Sequence, residues 1–101
     1  MKIKEEIIYS GPYKALFEGY ILYKQSLGFQ LEYREKKQLF NLNKFLNQYK
    51  TETVVITESM ADEYIQMAKH LSSSTIHAYA GRIRQLALYA RNMGYKNIYV
   101  V

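Results

Sequence analysis

The chain contains a single proline, Pro12, in its 101 residues. Proline interrupts helices more strongly than any other residue, because it lacks a backbone N–H and its ring collides with the preceding turn. A chain with almost no such breakers favours long helices joined by short connections. Its length fits one domain with one core and leaves no room for a second. We therefore expect a single all-α domain.

The composition narrows the class of protein further. Hydrophobic residues make up 49% and charged residues 23%, which is typical of a globular domain rather than a disordered or coiled-coil chain. The absence of cysteine excludes disulfides, thiolate zinc sites and thiol nucleophiles. No apolar run approaches the roughly 18 residues of a membrane span, and the N-terminus lacks the features of a secretion signal. We expect a cytoplasmic protein without membrane contact.

Positive charge predominates and is unevenly distributed. Lys and Arg total 14 against 9 Asp and Glu, which gives a formal net charge of +5. No acidic residue occurs from Tyr64 to Val101, whereas five basic residues do. This pattern indicates a polyanionic partner such as nucleic acid, although a solvated helix face that happens to lack acids would look the same.

The spacing of apolar residues predicts a first helix that begins at Pro12, with Ser10 or Gly11 as its cap. It ends near Leu27, and Gly28 follows where a left-handed residue is needed. Residues placed at 100° intervals give a core-facing side made of Tyr13, Leu16, Phe17, Tyr20, Tyr23 and Leu27.

A second helix is predicted from Leu31 to Tyr49. Its apolar stripe consists of Leu31, Leu39, Leu42, Phe45, Leu46 and Tyr49. The opposite side alternates aromatic and basic residues, namely Tyr33, Lys36, Lys37, Phe40 and Lys44. Lysines on such a face suit a phosphate backbone, whereas an outer aromatic residue such as Phe40 is more often used for packing.

Thr57 is predicted to cap a third helix that has Lys69 and His70 in its last turn. Its core side is expected at Ala61, Tyr64, Ile65 and Ala68. The polar run 71–75 then precedes a fourth helix that ends near Met93, before Gly94. The inward arc of this helix is predicted to be Ile76, Tyr79, Ala80, Ile83, Leu86, Ala87 and Ala90.

The outer side of the fourth helix is the most informative feature for function. It is expected to present Ser74, His77, Ala78, Gly81, Gln85 and Asn92, with Arg82 on one flank and Arg84 and Arg91 on the other. Small residues let a helix backbone approach another surface closely, and hydroxyl, imidazole and amide groups hydrogen-bond to base edges or phosphates. The pattern therefore indicates a DNA-facing helix, unless Gly81 merely relieves crowding and the polar arc faces water.

A diffuse set of helix ends and core positions runs from about Pro12 to Tyr99. It consists of the run Phe17–Gly28, Leu39, Leu42, Phe45, Leu46, Ile56, Thr57, Glu58, Ser74, Thr75, Tyr79, Ile83, Arg84, Leu86, Tyr89 and Gly94. This set resembles the N-terminal core-binding domain of tyrosine recombinases, the phage-integrase-type enzymes.

The resemblance implies a compact orthogonal bundle of about four helices, the integrase SAM-like fold, which grips the core recombination site on double-stranded DNA as one half of a clamp. It implies an N-terminal extension at 1–11, the core-binding domain at 12–94, and the start of a connector to an absent catalytic domain at 95–101. Other implied partners are that C-terminal catalytic domain of the same parent chain and further recombinase protomers. The second and fourth helices make most of the DNA contacts in that family. Together with the helical wheel, this gives the DNA-binding candidates Tyr33, Lys36, Lys37, Ser74, Thr75, His77, Arg82, Arg84 and Gln85.

No enzymatic activity is expected of this chain, because the family's catalytic residues belong to the other domain. A tyrosine ionises near pH 10, so its attack on a phosphodiester needs a base and a cluster of cations, and no tyrosine here has such neighbours in sequence. Neighbouring acids such as Asp62 and Glu63 do not face one another on a helix, and no glycine-rich phosphate loop occurs. We expect no catalytic residue, metal or cofactor.

A function of another class remains open. Phe40, Leu88 and the exposed tyrosines would suit a docking patch in a small helical protein-interaction domain, in which the positive charge is incidental. DNA binding at low salt distinguishes the two classes.

Overall fold

Four amphipathic helices make up most of the protein. The computed structural model describes residues 6–101. The helices are α1 Lys14–Ser26, α2 Tyr33–Asn47, α3 Glu58–Gln66 and α4 Ser73–Asn92. Within residues 6–101 the one element of β-structure is an isolated parallel bridge between Ile56 and Ile98. The predicted all-α fold with four helices is confirmed.

The start of α1 differs from the prediction. The helix begins at Lys14 rather than Pro12, and no side chain caps it. Ser10 does not act as the cap because its backbone is bound to α2 instead: its N–H donates to the Asn43 Oδ1 atom (2.9 Å), and its carbonyl accepts from Asn43 Nδ2 (3.0 Å). Gly11, held beside this contact at a φ of 75°, lies in the turn that precedes the helix.

Two glycines end helices as predicted. Gly28 and Gly94 both have a left-handed backbone, with φ of 93° and 97°. After α1, the Phe29 N–H donates back to the Lys24 carbonyl (3.1 Å), which supplies a partner for a carbonyl that the helix leaves unpaired. At the end of α4, the Tyr95 N–H donates to the Ala90 carbonyl (3.1 Å) in the same way.

The third helix begins as predicted and ends early. The Thr57 Oγ1 atom accepts a hydrogen bond from the Met60 N–H (3.1 Å), which confirms the cap. The helix ends at Gln66, so the placement of Lys69 and His70 in its last turn was wrong. Beyond Gln66 the backbone hydrogen bonds join residues three apart, and these tighter turns replace the helix.

The other two helices lie close to their predicted bounds. At each end α2 is two residues shorter than the interval Leu31–Tyr49. Ser72 proves to be the cap of α4, since its Oγ atom accepts a hydrogen bond from the Thr75 N–H (3.2 Å).

The core lies where the helices meet and is rich in aromatic residues. Its largest fully buried side chains include Tyr13, Leu16, Phe17, Leu42, Leu46, Ile83 and Leu86. Tyr23 and Leu27 were predicted to join them but are 45% and 56% exposed. The last turns of α1 pass the edge of the bundle, where Tyr23 meets the ring of Tyr89 (centroids 5.2 Å apart) and little else covers this side.

Asn43, a residue that the sequence pattern did not single out, ties the N-terminal segment to α2. Its side chain is fully buried, and its amide makes both hydrogen bonds to the backbone of Ser10. An amide can donate and accept at once, so one side chain serves both the N–H and the carbonyl of Ser10. The Asn47 Nδ2 atom donates to the same carbonyl (3.1 Å), and the backbone at Ser10 is thereby held against α2.

Replacing Asn43 by alanine is expected to lower the free energy of unfolding by about 1–2 kcal/mol, since both of its hydrogen bonds to the Ser10 backbone are lost, although the Ser10 carbonyl keeps the Asn47 amide as a donor. Urea denaturation followed by circular dichroism measures the change. Asn41→Ala, at an exposed position of the same helix, is the matched control and should stay within about 0.5 kcal/mol of the wild type. Equal effects of the two substitutions would contradict this role of Asn43.

Alkaline pH should destabilise the protein through Tyr9. Its hydroxyl donates to the Lys36 carbonyl (3.0 Å), and burial raises its pKa to about 12. An unfolded tyrosine ionises near pH 10, so the protonated form is favoured in the folded state. The stability that this contributes is complete below about pH 10 and is lost as the pH rises through about 12. Tyr9→Phe should therefore show a shallower fall of the urea midpoint above about pH 10 than the wild type; parallel curves would contradict the assignment.

Candidate nucleic-acid interface

The outer side of α4 is exposed, and it carries the polar and small residues predicted for it. Ser74, His77 and Gln85 all face outward, and Arg84 is exposed on one flank. The opposite side of the helix is fixed in the core by Ile83, Leu86, Ala87 and Ala90, all of which are buried. The burial of these four residues sets the rotation of α4, so the direction of the outer side chains follows from packing.

The hydroxyl groups at the start of α4 are partly used by the helix itself. The Ser72 Oγ atom lies 2.9 Å from Thr75 Oγ1 and 3.1 Å from Ser74 Oγ. Because a hydroxyl can both donate and accept, each retains capacity for a further partner. Thr75 is half-buried and Ser74 exposed, so Ser74 is the more accessible of the two candidates.

Gly81, in the middle of α4, is not required by the fold. A Cβ atom built there would find only the Arg84 Nη2 atom within 4 Å, at 4.0 Å. Crowding within the described chain therefore does not explain the glycine. A glycine in a helix interior costs about 0.5–1 kcal/mol relative to alanine.

Arg82, on the other flank of α4, is held in place by two tyrosines. Its Nη1 atom donates to the Tyr64 hydroxyl at 2.7 Å, and its guanidinium carbon lies 5.1 Å from the centre of the Tyr79 ring. The two tyrosine rings are stacked, with centroids 4.8 Å apart and planes at 26°. Burial raises the pKa of the Tyr64 hydroxyl, although the positive charge of Arg82 acts in the opposite direction. We call Tyr64 and Tyr79 the tyrosine shelf.

Three depressions border α4 near Arg82, and we call them together the furrow. The smallest, of about 120 Å³, is lined by Lys24, Glu35, Gln38 and Arg82 among others. It shares Tyr20 and Lys24 with a groove of about 290 Å³ that contains Gln85 and Leu88. The third is a cleft of about 690 Å³ that contains Tyr79, whose ring contacts Arg82, together with Lys44 and Glu63. Residues of α1, α2 and α3 thus face α4 across the furrow.

The candidates on α2 lie on a different part of the surface. Tyr33 and Lys37 line a small depression together with Ile7, and Lys36 borders another beside Ile7 and Tyr9. All three α2 candidates are half-buried. The structure therefore brings Arg82 and Gln85 into the furrow but places Tyr33, Lys36 and Lys37 beside the N-terminal segment.

Phe40 packs against the core, as predicted, and two lysine ammonium groups lie over its ring. Its ring lies 6.5 Å from that of Tyr9, while the Nζ atoms of Lys37 and Lys44 are 4.9 Å and 5.9 Å from its centre. Lys44 thereby links this outer ridge of α2 to the furrow, whose large cleft it also lines.

Sequence reasoning missed the furrow residues Lys24 and Gln38, and it assigned Tyr64 only to the core. Lys44 belongs to the basic face that was predicted for the second helix. The contact of Arg82 with Tyr79 had a signal in the sequence, because residues three apart are neighbours on a helix. The contact with Tyr64 had none, since it joins α4 to another helix.

Within residues 6–101 no helix is long and apolar enough to cross a membrane. In the same part of the chain, no group of three or more His, Asp or Glu side chains comes together as a metal site would require.

Comparison with known proteins gives no relative. No family model, no curated protein and no solved structure matches the chain. The similarity to the core-binding domain of tyrosine recombinases thus stays a prediction from the sequence, and the geometry of α4 and the furrow is the basis for a functional proposal.

Proposed function

We propose that this protein binds double-stranded DNA through the outer side of α4 and the adjoining furrow, and that it holds the DNA without cleaving it. The observation that carries the proposal is the surface of α4. Its polar residues are exposed, arginines flank them on both sides, and no acidic residue occurs from Tyr64 to the C-terminus. The cations of such a helix surface attract a polyanion.

The size and chemistry of the exposed arc suit a helix placed against a duplex. The major groove is wide enough for one α-helix, whose outer side chains then reach the base edges. Gln85 offers an amide for such contacts, and Gly81 lets the backbone come close. The arginines on the two flanks, Arg82 and Arg84, would then lie towards the phosphates on either side.

We further propose that the chain is the core-binding half of a clamp in a tyrosine recombinase, as the sequence resemblance implies. In that assembly a separate catalytic domain supplies the chemistry, and other protomers occupy neighbouring sites on the DNA. A cytoplasmic location belongs to the same proposal. Reading the open reading frame beyond Val101 tests it, because an Arg, His-x-x-Arg and Tyr pattern downstream is expected.

Binding to a duplex should weaken steeply with salt and depend on Arg82. With about 3–5 phosphate contacts, a fourfold rise in salt should reduce affinity about 40- to 500-fold. Arg82→Ala should lower affinity and reduce the slope of log K against log salt by about one. Lys14→Ala, which removes the same charge at an exposed position at the start of α1, is the control. Fluorescence anisotropy measures both; equal losses from the two variants would show that net charge alone is responsible.

Gly81→Ala should make the protein more stable and the complex weaker. The added methyl group meets open space in the free protein and removes backbone entropy from the unfolded chain, so stability should rise by about 0.5–1 kcal/mol. Against a closely approaching duplex the same methyl group should reduce affinity about tenfold. Thermal denaturation and anisotropy give the two values. A stabilised variant with unchanged affinity would place the DNA elsewhere.

One observation favours a protein-docking function as the second candidate. Tyr23, Leu27, Phe29 and Leu88 expose apolar surface around the groove of about 290 Å³. Exposed apolar patches often mark protein interfaces. The absence of any duplex complex even at low salt would favour this candidate over DNA binding.

A further inference from the structure

We propose that the tyrosine shelf turns Arg82 into a preformed site for one phosphate group of the DNA, and that Tyr64 acts as its positioning residue. The inference rests on the proposed function and makes it more specific. Arg82 is the side chain that receives the phosphate, and the Tyr64 hydroxyl and the Tyr79 ring hold its guanidinium in position.

The guanidinium of Arg82 is oriented but still has donors to offer. A guanidinium carries five N–H groups. One is used by the Tyr64 hydroxyl at 2.7 Å, and the others have no hydrogen-bond partner within residues 6–101. The Tyr79 ring supports one side of the group at 5.1 Å. These two contacts, from different directions, therefore orient the guanidinium of Arg82, while most of its N–H groups stay available for a ligand.

Tyr64 can orient Arg82 because the Tyr64 side chain is itself buried and packed between two other rings. It is 2% exposed, and its ring lies against Phe45 (centroids 5.5 Å apart) as well as Tyr79. These contacts come from α2 and α4, while Tyr64 belongs to α3. The packing of the Tyr64 ring in the core therefore fixes the position of its hydroxyl, which accepts the hydrogen bond from Arg82.

A free surface arginine must lose most of its rotamer entropy before it can hold a ligand in one geometry. At the tyrosine shelf, Arg82 has already lost much of this entropy on folding, so less entropy is lost when it binds a phosphate. The half-buried position also strengthens each hydrogen bond relative to one made in water.

The space beside Arg82 fits a small anion. The depression of about 120 Å³ has room for several water molecules, so a phosphate group can enter it. Lys24 and Gln38 add an ammonium and an amide to its lining. Glu35 is an acid in the same lining, so the two cations exceed it by one charge. A phosphodiester, with a single negative charge, matches this balance.

The shelf also explains why lysine would not serve. Arginine can donate to Tyr64 with one nitrogen and to a phosphate with the others in a planar fork. The ammonium of a lysine is a compact point charge on a flexible stem, and it lacks this fork. Its charge alone would leave the phosphate less firmly bound.

The test compares duplex affinity and salt slope for Tyr64→Phe, Arg82→Lys, Arg82→Ala and the double variant of Tyr64→Phe with Arg82→Ala. Tyr64→Phe should weaken binding about threefold to tenfold, and it should have no further effect once Arg82 is alanine. Arg82→Lys should bind about as weakly as Arg82→Ala. In NMR spectra of the arginine side chains, the Arg82 guanidinium signals should be resolved in the wild type and averaged in Tyr64→Phe.

Tyr13→Phe is the matched control. It removes another tyrosine hydroxyl that bonds within the fold, to the Val55 carbonyl at 2.7 Å, so it costs stability without touching Arg82. It should leave affinity and the Arg82 signals unchanged. A complex in which Tyr64→Phe and Arg82→Lys both bind like the wild type, while Arg82→Ala is weaker, overturns the preformed site and leaves DNA binding intact. No duplex complex of the wild type at low salt overturns both proposals.

Discussion

The cluster of aromatic rings around Tyr64 connects three helices and thereby sets the geometry of the surface. Phe45 comes from α2, Tyr64 from α3 and Tyr79 from α4, and each ring lies within 5.5 Å of the next, measured between centroids. Aromatic pairs at such distances contribute more than their buried area alone. Arg82 closes the series at the surface through its bond to Tyr64. The rotation of α4 and the position of its arginine are therefore consequences of the same packing.

The periodicity of the sequence was enough to predict the helices, because local signals determine them. Thr57 accepts the expected capping bond, and Gly28 supplies the left-handed residue that ends α1. The errors lie where tertiary contacts decide. Ser10 resembles a helix cap in sequence, but Asn43, which lies on another helix, binds its backbone instead. A helical wheel contains no information about such a partner.

The candidate site was predictable to a similar degree, and for the same reason. The exposed arc of α4 follows from the burial of its opposite side, so Ser74, His77 and Gln85 were placed by the wheel alone. The relative position of two helices is not a property of either one. That is why Lys36 and Lys37 lie beside the N-terminal segment, whereas Lys24 of α1 lines the furrow with Arg82.

The cations of this surface differ in how firmly the fold holds them, and this difference suggests two roles in the proposed complex. The Nζ atoms of Lys37 and Lys44 lie over the Phe40 ring on flexible stems, at 4.9 Å and 5.9 Å from its centre. Such charges attract DNA over a distance set by the ionic strength, and they tolerate many orientations of the duplex. Arg82 is held by the Tyr64 hydroxyl and the Tyr79 ring, so its guanidinium is oriented before a ligand arrives. In the proposed complex the lysines would draw the duplex in, and the oriented guanidinium would favour one register of the phosphates along α4.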